Sequence, residues 1–412
     1  MNFELFIAKR LIKGKEHKSS ISSPIIKIAV SAIAIGMIMM LITVATGVGL
    51  RHKIREKVAA FNGHVVVSSF DNNSSLESWI PISTKQDFYP EFKSVEGITH
   101  VQGVATKVGV IRTETDFEGV VVKGVGEDYN WKYFEEYLVQ GTLPDFSEKL
   151  NQQILISEYM ANRLKLGVGD KAITYFLKKS AAASRPNIRA FEIAGIYNSG
   201  FEDFDKNYVF ADIRHIRRMN KWKDDEVGNF EVFIDDFDEI NDKGREVFQN
   251  VPSALDAQTI ALKYGTIFEW LKLFDLNIIG IIGIIILVAG INMITALLVL
   301  ILERTPMIGI LKALGASSWS IRKTFLYNAG YLIVVGLFWG NLIGLGLLFI
   351  QQNYGVISLN PATYYVSTAP VYIDMGYIVL LNLGTLLLCL VMLLIPSYVI
   401  SKIAPVKAIR FQ

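Results

Sequence analysis

Five histidines, His17, His52, His64, His100 and His215, are the side chains of this sequence best able to move a proton near neutral pH or to bind a transition metal. None stands at the HExxH spacing or at another ligand spacing. The stretch GVVVKGV, Gly119–Val125, has the glycine spacing of a P-loop, but Val125 occupies the place of the phosphate-binding lysine. Its run of valines reads as a strand, not as a loop opening a helix. The one cysteine, Cys389, lies inside an apolar run, so it reads as a small packing residue and no disulfide framework is expected. The expectation is a chain with no catalytic constellation, no metal and no cofactor of its own. Work done by such a chain must be energised by another protein.

One stretch is built for that. Residues 303–325 read ERTPMIGILKALGASSWSIRKTF. Ile308, Leu311 and Leu314 fall at helical spacing, which predicts a short amphipathic helix lying along a membrane face with Glu303, Arg304 and Lys312 as exposed charges around it. Gly315 would supply its C-terminal turn. A plain connection between two helices needs only a few residues. This longer, patterned segment can instead receive a push from a soluble protein and pass it to the spans on both sides.

The elements that hold this segment come from the hydropathy pattern. The chain has 412 residues, 51% hydrophobic and 19% charged, and the charges are sharply segregated. Four windows, 28–50, 276–302, 325–350 and 377–400, contain no Asp, Glu, Lys or Arg. About 20 apolar residues in a helix cross a hydrocarbon core about 30 Å thick, so each window can span. The first is too long for the apolar core of a signal peptide and reads as a retained span. Lys9, Arg10, Lys13, Lys15 and Lys18 precede the first span; Arg304, Lys312, Arg322 and Lys323 follow the second; Lys402, Lys407 and Arg410 follow the fourth. The loop 351–376 has no Lys or Arg. Positive charge collects on the cytoplasmic side, so both termini are expected there. The expected organisation is a cytoplasmic N-terminus (1–24), a first span (25–50), a large extracytoplasmic domain (51–275) and a second span (276–302). A cytoplasmic loop (303–324), a third span (325–350), a short outer loop (351–376), a fourth span (377–400) and a cytoplasmic C-terminus (401–412) complete it.

The fold class is therefore a membrane protein with four transmembrane α-helices and a large α+β domain between helices one and two. Within that domain 65–68, 120–123, 154–157, 173–177 and 191–196 read as strands, and 158–166 and 212–220 as short helices. The polar, breaker-rich stretch 178–187, KKSAAASRPN, reads as the tip of a hairpin. At the N-terminus Phe3, Phe6, Ile7 and Leu11 suggest an interfacial amphipathic helix. Gly336, Gly340 and Gly344 form a GxxxGxxxG stripe that lets another helix approach closely, either in the same chain or in a second subunit. Asn292 and Thr295 read as hydrogen-bonding groups between helices. No span carries a carboxylate, which weighs against a proton relay, and a net charge of +2 weighs against nucleic acid as a partner.

The coupling stretch resembles that of the MacB/FtsX/LolC–LolE permeases, whose pattern is close to E-R-x-x-E-I-G-I-L-K-A-L-G-A. Glu303, Arg304, Ile308, Gly309, Ile310, Leu311, Lys312, Ala313, Leu314, Gly315 and Ala316 match it; Met307 stands where an acidic residue is usual. The ending PVKAIR, 405–410, is similar to the family's P-x-x-A-L-R. Three features resemble the LolC/LolE branch: Glu4, Phe6, Ile7, Ala8 and Arg10 at the start; Gly195, Ile196, Tyr197 and Gly200 followed by Asp203 and Asp205; and 157–166 followed by Gly169 and Asp170. The resemblance implies an inner-membrane permease that works with two copies of a LolD/MacB-type ATPase, where ATP and Mg reside, and with a second permease chain, itself or a sister. It implies lipoproteins as cargo, membrane lipids around the acyl chains and a LolA-like periplasmic carrier. Glu303, Arg304, Ile308, Gly309, Leu311, Lys312, Leu314 and Gly315 would then couple to the ATPase. Met40 and Val44 with Leu276 and Ile279 would frame the acyl-chain cavity, and Pro186 and Arg189 would meet the carrier. A MacB-like efflux permease and an FtsX-like signalling subunit controlling a cell-wall hydrolase are the alternatives.

Overall fold

The structure is a computed structural model that describes Glu4 and residues 22–73, 75–147, 150–176 and 186–403. The amphipathic N-terminus and the PVKAIR ending lie outside the described residues. The chain divides into two compact units. One holds the chain up to Leu50, Leu271–Ile357 and Ala369 onward; the other holds Arg51–Trp270 and Ser358–Thr368.

Among the described residues, four long apolar helices supply most of the first unit: helix one, Ser22–Asn62, up to Leu50; helix two, Gly265–Glu303, from Leu271; helix three, Ser318–Tyr354; and helix four, Met375–Ser397. At 41 and 39 residues, helices one and two are each about 60 Å long, roughly twice a hydrocarbon core. Each runs beyond its charge-free window, helix one through Arg51–Asn62 and helix two from Gly265. In lipid, apolar side chains gain little by leaving their surroundings, so close packing must hold helices together. The glycine stripe of helix three supplies it within the chain. A Cβ on Gly336 would lie 2.8 Å from Ile33 Cβ, and one on Gly340 would lie 2.6 Å from Met37 Cβ and 2.9 Å from the Ala34 carbonyl. Gly344 faces Leu41 in the same way. Helix two uses two glycines of helix one: Ile285 sits 3.1 Å from the position of a Cβ on Gly36, and Ile278 and Phe274 cover Gly47. Between helices three and four, the amides of Asn341 and Asn382 bond to each other at 2.7 and 3.0 Å. Thr295 does not bond across helices: its hydroxyl donates to the Ile291 carbonyl one turn back, satisfying it locally.

The second unit is built on β1 (Val65–Ser69), β2 (Ile82–Ser83), β3 (Ile98–Arg112), β4 (Phe117–Val125), β5 (Leu138–Gly141) and β6 (Gln153–Ser157). It continues with β7 (Lys171–Phe176), β8 (Asn187–Tyr197), β9 (Tyr208–Asp212), β10 (Glu226–Val227), β11 (Asn229–Ile234) and β12 (Leu255–Thr259). The main sheet runs β12-β1-β11-β3-β4-β9-β6-β8-β5, and β7 pairs with both β3 and β8. That double pairing closes β3-β4-β9-β6-β8-β7 into a ring. β4–β9 and β6–β8 are parallel and the other pairs antiparallel, so the sheet is mixed. One core lies against the ring, with Ile111, Val120, Ile154, Phe176, Phe191 and Val209. A second lies under β1, β11 and the start of β3, with Val65, Val67, Phe88, Phe230, Val232 and Val247. The expected strands and the expected helices at 158–166 and 212–220 fall on β1, β4, β6, β7, β8 and on helices Glu158–Leu164 and Ile213–Asn220.

Helix one ends inside this unit. Gly63, at φ +67°, turns the chain, and its N–H closes on the Ala59 carbonyl at 2.7 Å. The Phe61 carbonyl, one of the helix's unsatisfied last four, accepts from Lys123 Nζ at 2.7 Å. Lys123 is the lysine of the P-loop-like stretch, and its environment explains the resemblance away. It is a core cation, 1% exposed, paired at 2.6 Å with Glu231, which is 4% exposed and also accepts from Gln102 at 2.9 Å. Three histidines of this unit bond to backbone: His64 Nδ1 accepts from the Ile234 N–H, while His100 and His215 meet the Asp128 and Asn151 carbonyls.

Candidate functional site

The coupling helix is Thr305–Ala313. Pro306 stands in its first turn, where a missing N–H costs nothing. Leu314 closes it, and Gly315 at φ +87° makes the turn: the Gly315 and Ala316 N–H groups bond to the Lys312 and Leu311 carbonyls at 3.0 and 2.9 Å. This is the Schellman arrangement. Ser317 then caps helix three by accepting the Ser320 N–H at 3.2 Å.

The helix has two distinct sides. Ile308 and Gly309 are buried, and Ile308 joins the helical core of the first unit, with Met307 and Leu311 packed against it. Leu314 is 79% exposed and Ile310 53%, and Pro306 and Ala313 are exposed beside them. The apolar spacing of three predicted one face for Ile308, Leu311 and Leu314. At 3.6 residues per turn, steps of three drift by about 60° each, so Leu314 is carried to the outer side. Steps of four drift by about 40°, and they keep Pro306, Ile310 and Leu314 on one outer stripe. That stripe is the feature the spacing-of-three reading missed.

The charges also differ from expectation. Glu303, Arg304 and Lys312 are all half-buried. The Lys312 ammonium sends its three donors to the carbonyls of Ile400, Ser401 and Ile403 at 2.8, 3.2 and 2.7 Å, capping the chain end that leaves helix four. Arg322, at the start of helix three, reaches the Ser397 hydroxyl and the Leu394 carbonyl at 3.1 Å and lies over the Tyr398 ring. The coupling helix is thus tied to the ends of helices two, three and four, with its opposite side bare.

The four residues expected around an acyl-chain cavity differ in burial. Met40 and Val44 are buried in the helix packing: Met40 lies against Thr385 of helix four, and Val44 against Leu348 and Leu381. Leu276 and Ile279 are 61% and 66% exposed on helix two. The small cavity beside Val44, about 10 Å³, has room for a single small group at most.

For the carrier contact, β7 and β8 form the two arms of a hairpin, paired from Lys171↔Glu192 to Phe176↔Asn187. Its tip, 177–185, lies outside the described residues. Pro186 is exposed at the entry to β8. Arg189 sits opposite Thr174, half-buried, with a guanidinium N–H to the Ile188 carbonyl at 3.0 Å.

Comparison with known proteins agrees with this architecture. Residues 28–242 match the MacB-like periplasmic core domain, and residues 279–405 match the FtsX-like permease C-terminal region. The chain is 24% identical, over the full length of both, to the lipoprotein-releasing system transmembrane protein LolC of Haemophilus influenzae, and 22% identical, again over both full lengths, to LolC of Neisseria meningitidis. It is 20% identical to the H. influenzae LolE protein, covering 99% of each. With four apolar helices and a large domain between the first two, the chain belongs to the MacB/FtsX superfamily of permeases, in its LolC/LolE type, and is an inner-membrane protein with a periplasmic domain.

Proposed function

We propose that this permease extracts lipoproteins from the inner membrane and passes them to a LolA-like periplasmic carrier, driven by a separate LolD/MacB-type ATPase that holds ATP and Mg. The active assembly contains two ATPase subunits and a second permease chain, a copy or a sister. The observation that carries this reading is the two-sided coupling helix, with Pro306, Ile310 and Leu314 bare on one side and Ile308 wedged into the helical core on the other. A helix held so firmly passes on a push instead of absorbing it, and an apolar stripe is what a soluble partner can grip. An energy source is needed because a lipid anchor buries tens of methylenes at about 0.8 kcal/mol each. The hairpin of β7 and β8, with Pro186 and Arg189, would meet the carrier. Arg189 presents a planar fork of donors suited to carbonyls or a carboxylate. Lipid-facing Leu276 and Ile279 would lie along the path of the acyl chains.

The test is substitution of Ile310 and Leu314 by Asp. Both are solvent-exposed here, so folding and insertion should survive. A carboxylate in an apolar contact costs several kcal/mol, which should abolish ATPase binding and lipoprotein release. Leu311, packed inward, is the wrong residue for this experiment. Normal ATPase association in the double variant would refute the reading.

A further inference from the structure

The loop between helices three and four does more than join them. Ser358–Thr368 belongs to the periplasmic unit, while the chain on either side belongs to the membrane unit. It is a closed structure of its own: Ser358 and Thr368 form a bridge, Leu359 N–H bonds to the Ser367 carbonyl at 2.9 Å, and Pro361–Tyr364 makes one helical turn. Its base is fixed to helix three by Gln351, which accepts the Ile357 N–H at 2.8 Å and donates to the Ala369 carbonyl at 3.0 Å.

Its far end is gripped by ring contacts and by a hydrogen bond, and the Trp270 ring meets Tyr365 edge-on at 6.2 Å. The Tyr365 ring stacks on Phe201 with centroids 4.6 Å apart and planes 19° from parallel, and Phe201 is fully buried. The Tyr365 carbonyl accepts from Lys57 Nζ at 3.1 Å, and the same ammonium donates to the Ser199 carbonyl. Tyr365 holds φ at +59°, a conformation that residues with a side chain rarely adopt, and it turns the carbonyl and the ring to these partners together. The receiving loop is itself stiff. Asp205 accepts from the Ser199 N–H, the Ser199 hydroxyl and the Gly200 N–H at 3.1, 2.6 and 3.1 Å, and its own carbonyl accepts from Ser157. Ser199 directly follows β8, and the other end of β8 carries Pro186 and Arg189 of the hairpin.

We propose that this loop is a latch through which movement of helices three and four reaches the end of β8, with Lys57 and Tyr365 as its positioning residues. The role in transport rests on the function proposed above; the grip itself does not. Two measurements separate them. In the full chain alone in lipid nanodiscs, hydrogen exchange of the amides of 199–207 should rise tenfold or more in Tyr365→Ala and in Lys57→Met. Tyr365→Phe, which keeps the stack, should leave it unchanged. Unchanged exchange in both disruptive variants refutes the latch.

With the ATPase bound, vanadate trapping should alter exchange in both 358–368 and 199–207 of the wild type and of Tyr365→Phe. In Tyr365→Ala the response of 199–207 should vanish while that of 358–368 persists, and lipoprotein released per ATP hydrolysed should fall at least fivefold at a hydrolysis rate within twofold of wild type. A wild-type response of 199–207 in Tyr365→Ala overturns transmission through the latch. If the nucleotide response is as expected but the wild type releases no lipoprotein, transmission stands and the assigned cargo falls.

Discussion

Glu231→Gln should destabilise the periplasmic domain far more than an exposed substitution would. Glu231 Oε1 lies 2.6 Å from Lys123 Nζ, with the two side chains 4% and 1% exposed. Two unit charges at that distance attract by roughly 6 kcal/mol at an effective dielectric constant of about 20, against a desolvation cost of several kcal/mol for each ion. The pair therefore contributes little in sum, but its halves depend on each other. Burial already pulls the Lys123 ammonium down from its usual range, and Glu231 opposes that pull. Removing the carboxylate's charge leaves a buried cation with only neutral acceptors, the Phe61 carbonyl and the new amide oxygen, a loss of about 3–5 kcal/mol. Whole-domain stabilities are about 5–15 kcal/mol, so the effect should be large. Replacing both partners, Lys123→Met with Glu231→Leu, should restore stability to within about 1–2 kcal/mol of wild type, the remainder being the lost bonds to Gln102 and Phe61. Pulse proteolysis of the full chain in detergent across a urea gradient would measure the wild type, Glu231→Gln and the double variant. A Glu231→Gln loss below about 1 kcal/mol, or a double variant no more stable than the single one, would refute the reasoning.

Gly340→Val should break the seat of helix three on helix one. Its Cβ alone would stand 2.6 Å from Met37 Cβ, and overpacking of this kind costs about 1–3 kcal/mol. Thermal inactivation in detergent should come earlier, whereas Gly346→Val, where nothing lies within 4 Å of an added Cβ, should behave as wild type. The domain should also lose stability in acid through His64. Burial holds this imidazole down to about 4, and its Nδ1 must stay unprotonated to accept the Ile234 N–H. In the unfolded chain His64 takes a proton near its ordinary 6.5, so between pH 6.5 and 4 the unfolded state binds more protons and stability falls as pH falls. The full difference is about 3 kcal/mol. His64→Asn, whose amide oxygen can accept in place of Nδ1, should flatten the slope of urea midpoint against pH in that window.

The four spans were legible because a bilayer forbids charge over a long enough run, and the chain obeys that rule in four places. The coupling helix was legible as a helix, with its glycine turn, but its working face was not, because steps of three and steps of four separate only once the helix is built. β3, the longest strand, escaped notice. Its buried Gln102 and Lys107 interrupt the apolar pattern, and their partners, Glu231 and Glu77, are 129 and 30 residues away. Gly119–Val125 was legible as a strand and not a phosphate loop, but the buried partner of its lysine was not, because Glu231 lies 108 residues on. The outer loop read only as a short loop, since nothing in 351–376 names Phe201 or Lys57 as its seat.

The closed ring of strands has a consequence for life at high concentration. An open sheet of this size would offer long rows of unpaired N–H and C=O groups, which template self-association. Here β7 seals the gap between β3 and β8, and the main sheet, among the described residues, ends only at β5 and β12. These edges are four and five residues long; β5 exposes Gln140 and Gly141, and β12 carries Asp256. Edges so short give a neighbouring chain little to extend, even where β5 exposes Val139. A domain with such edges can stand among many copies of itself without being recruited into a growing β-aggregate.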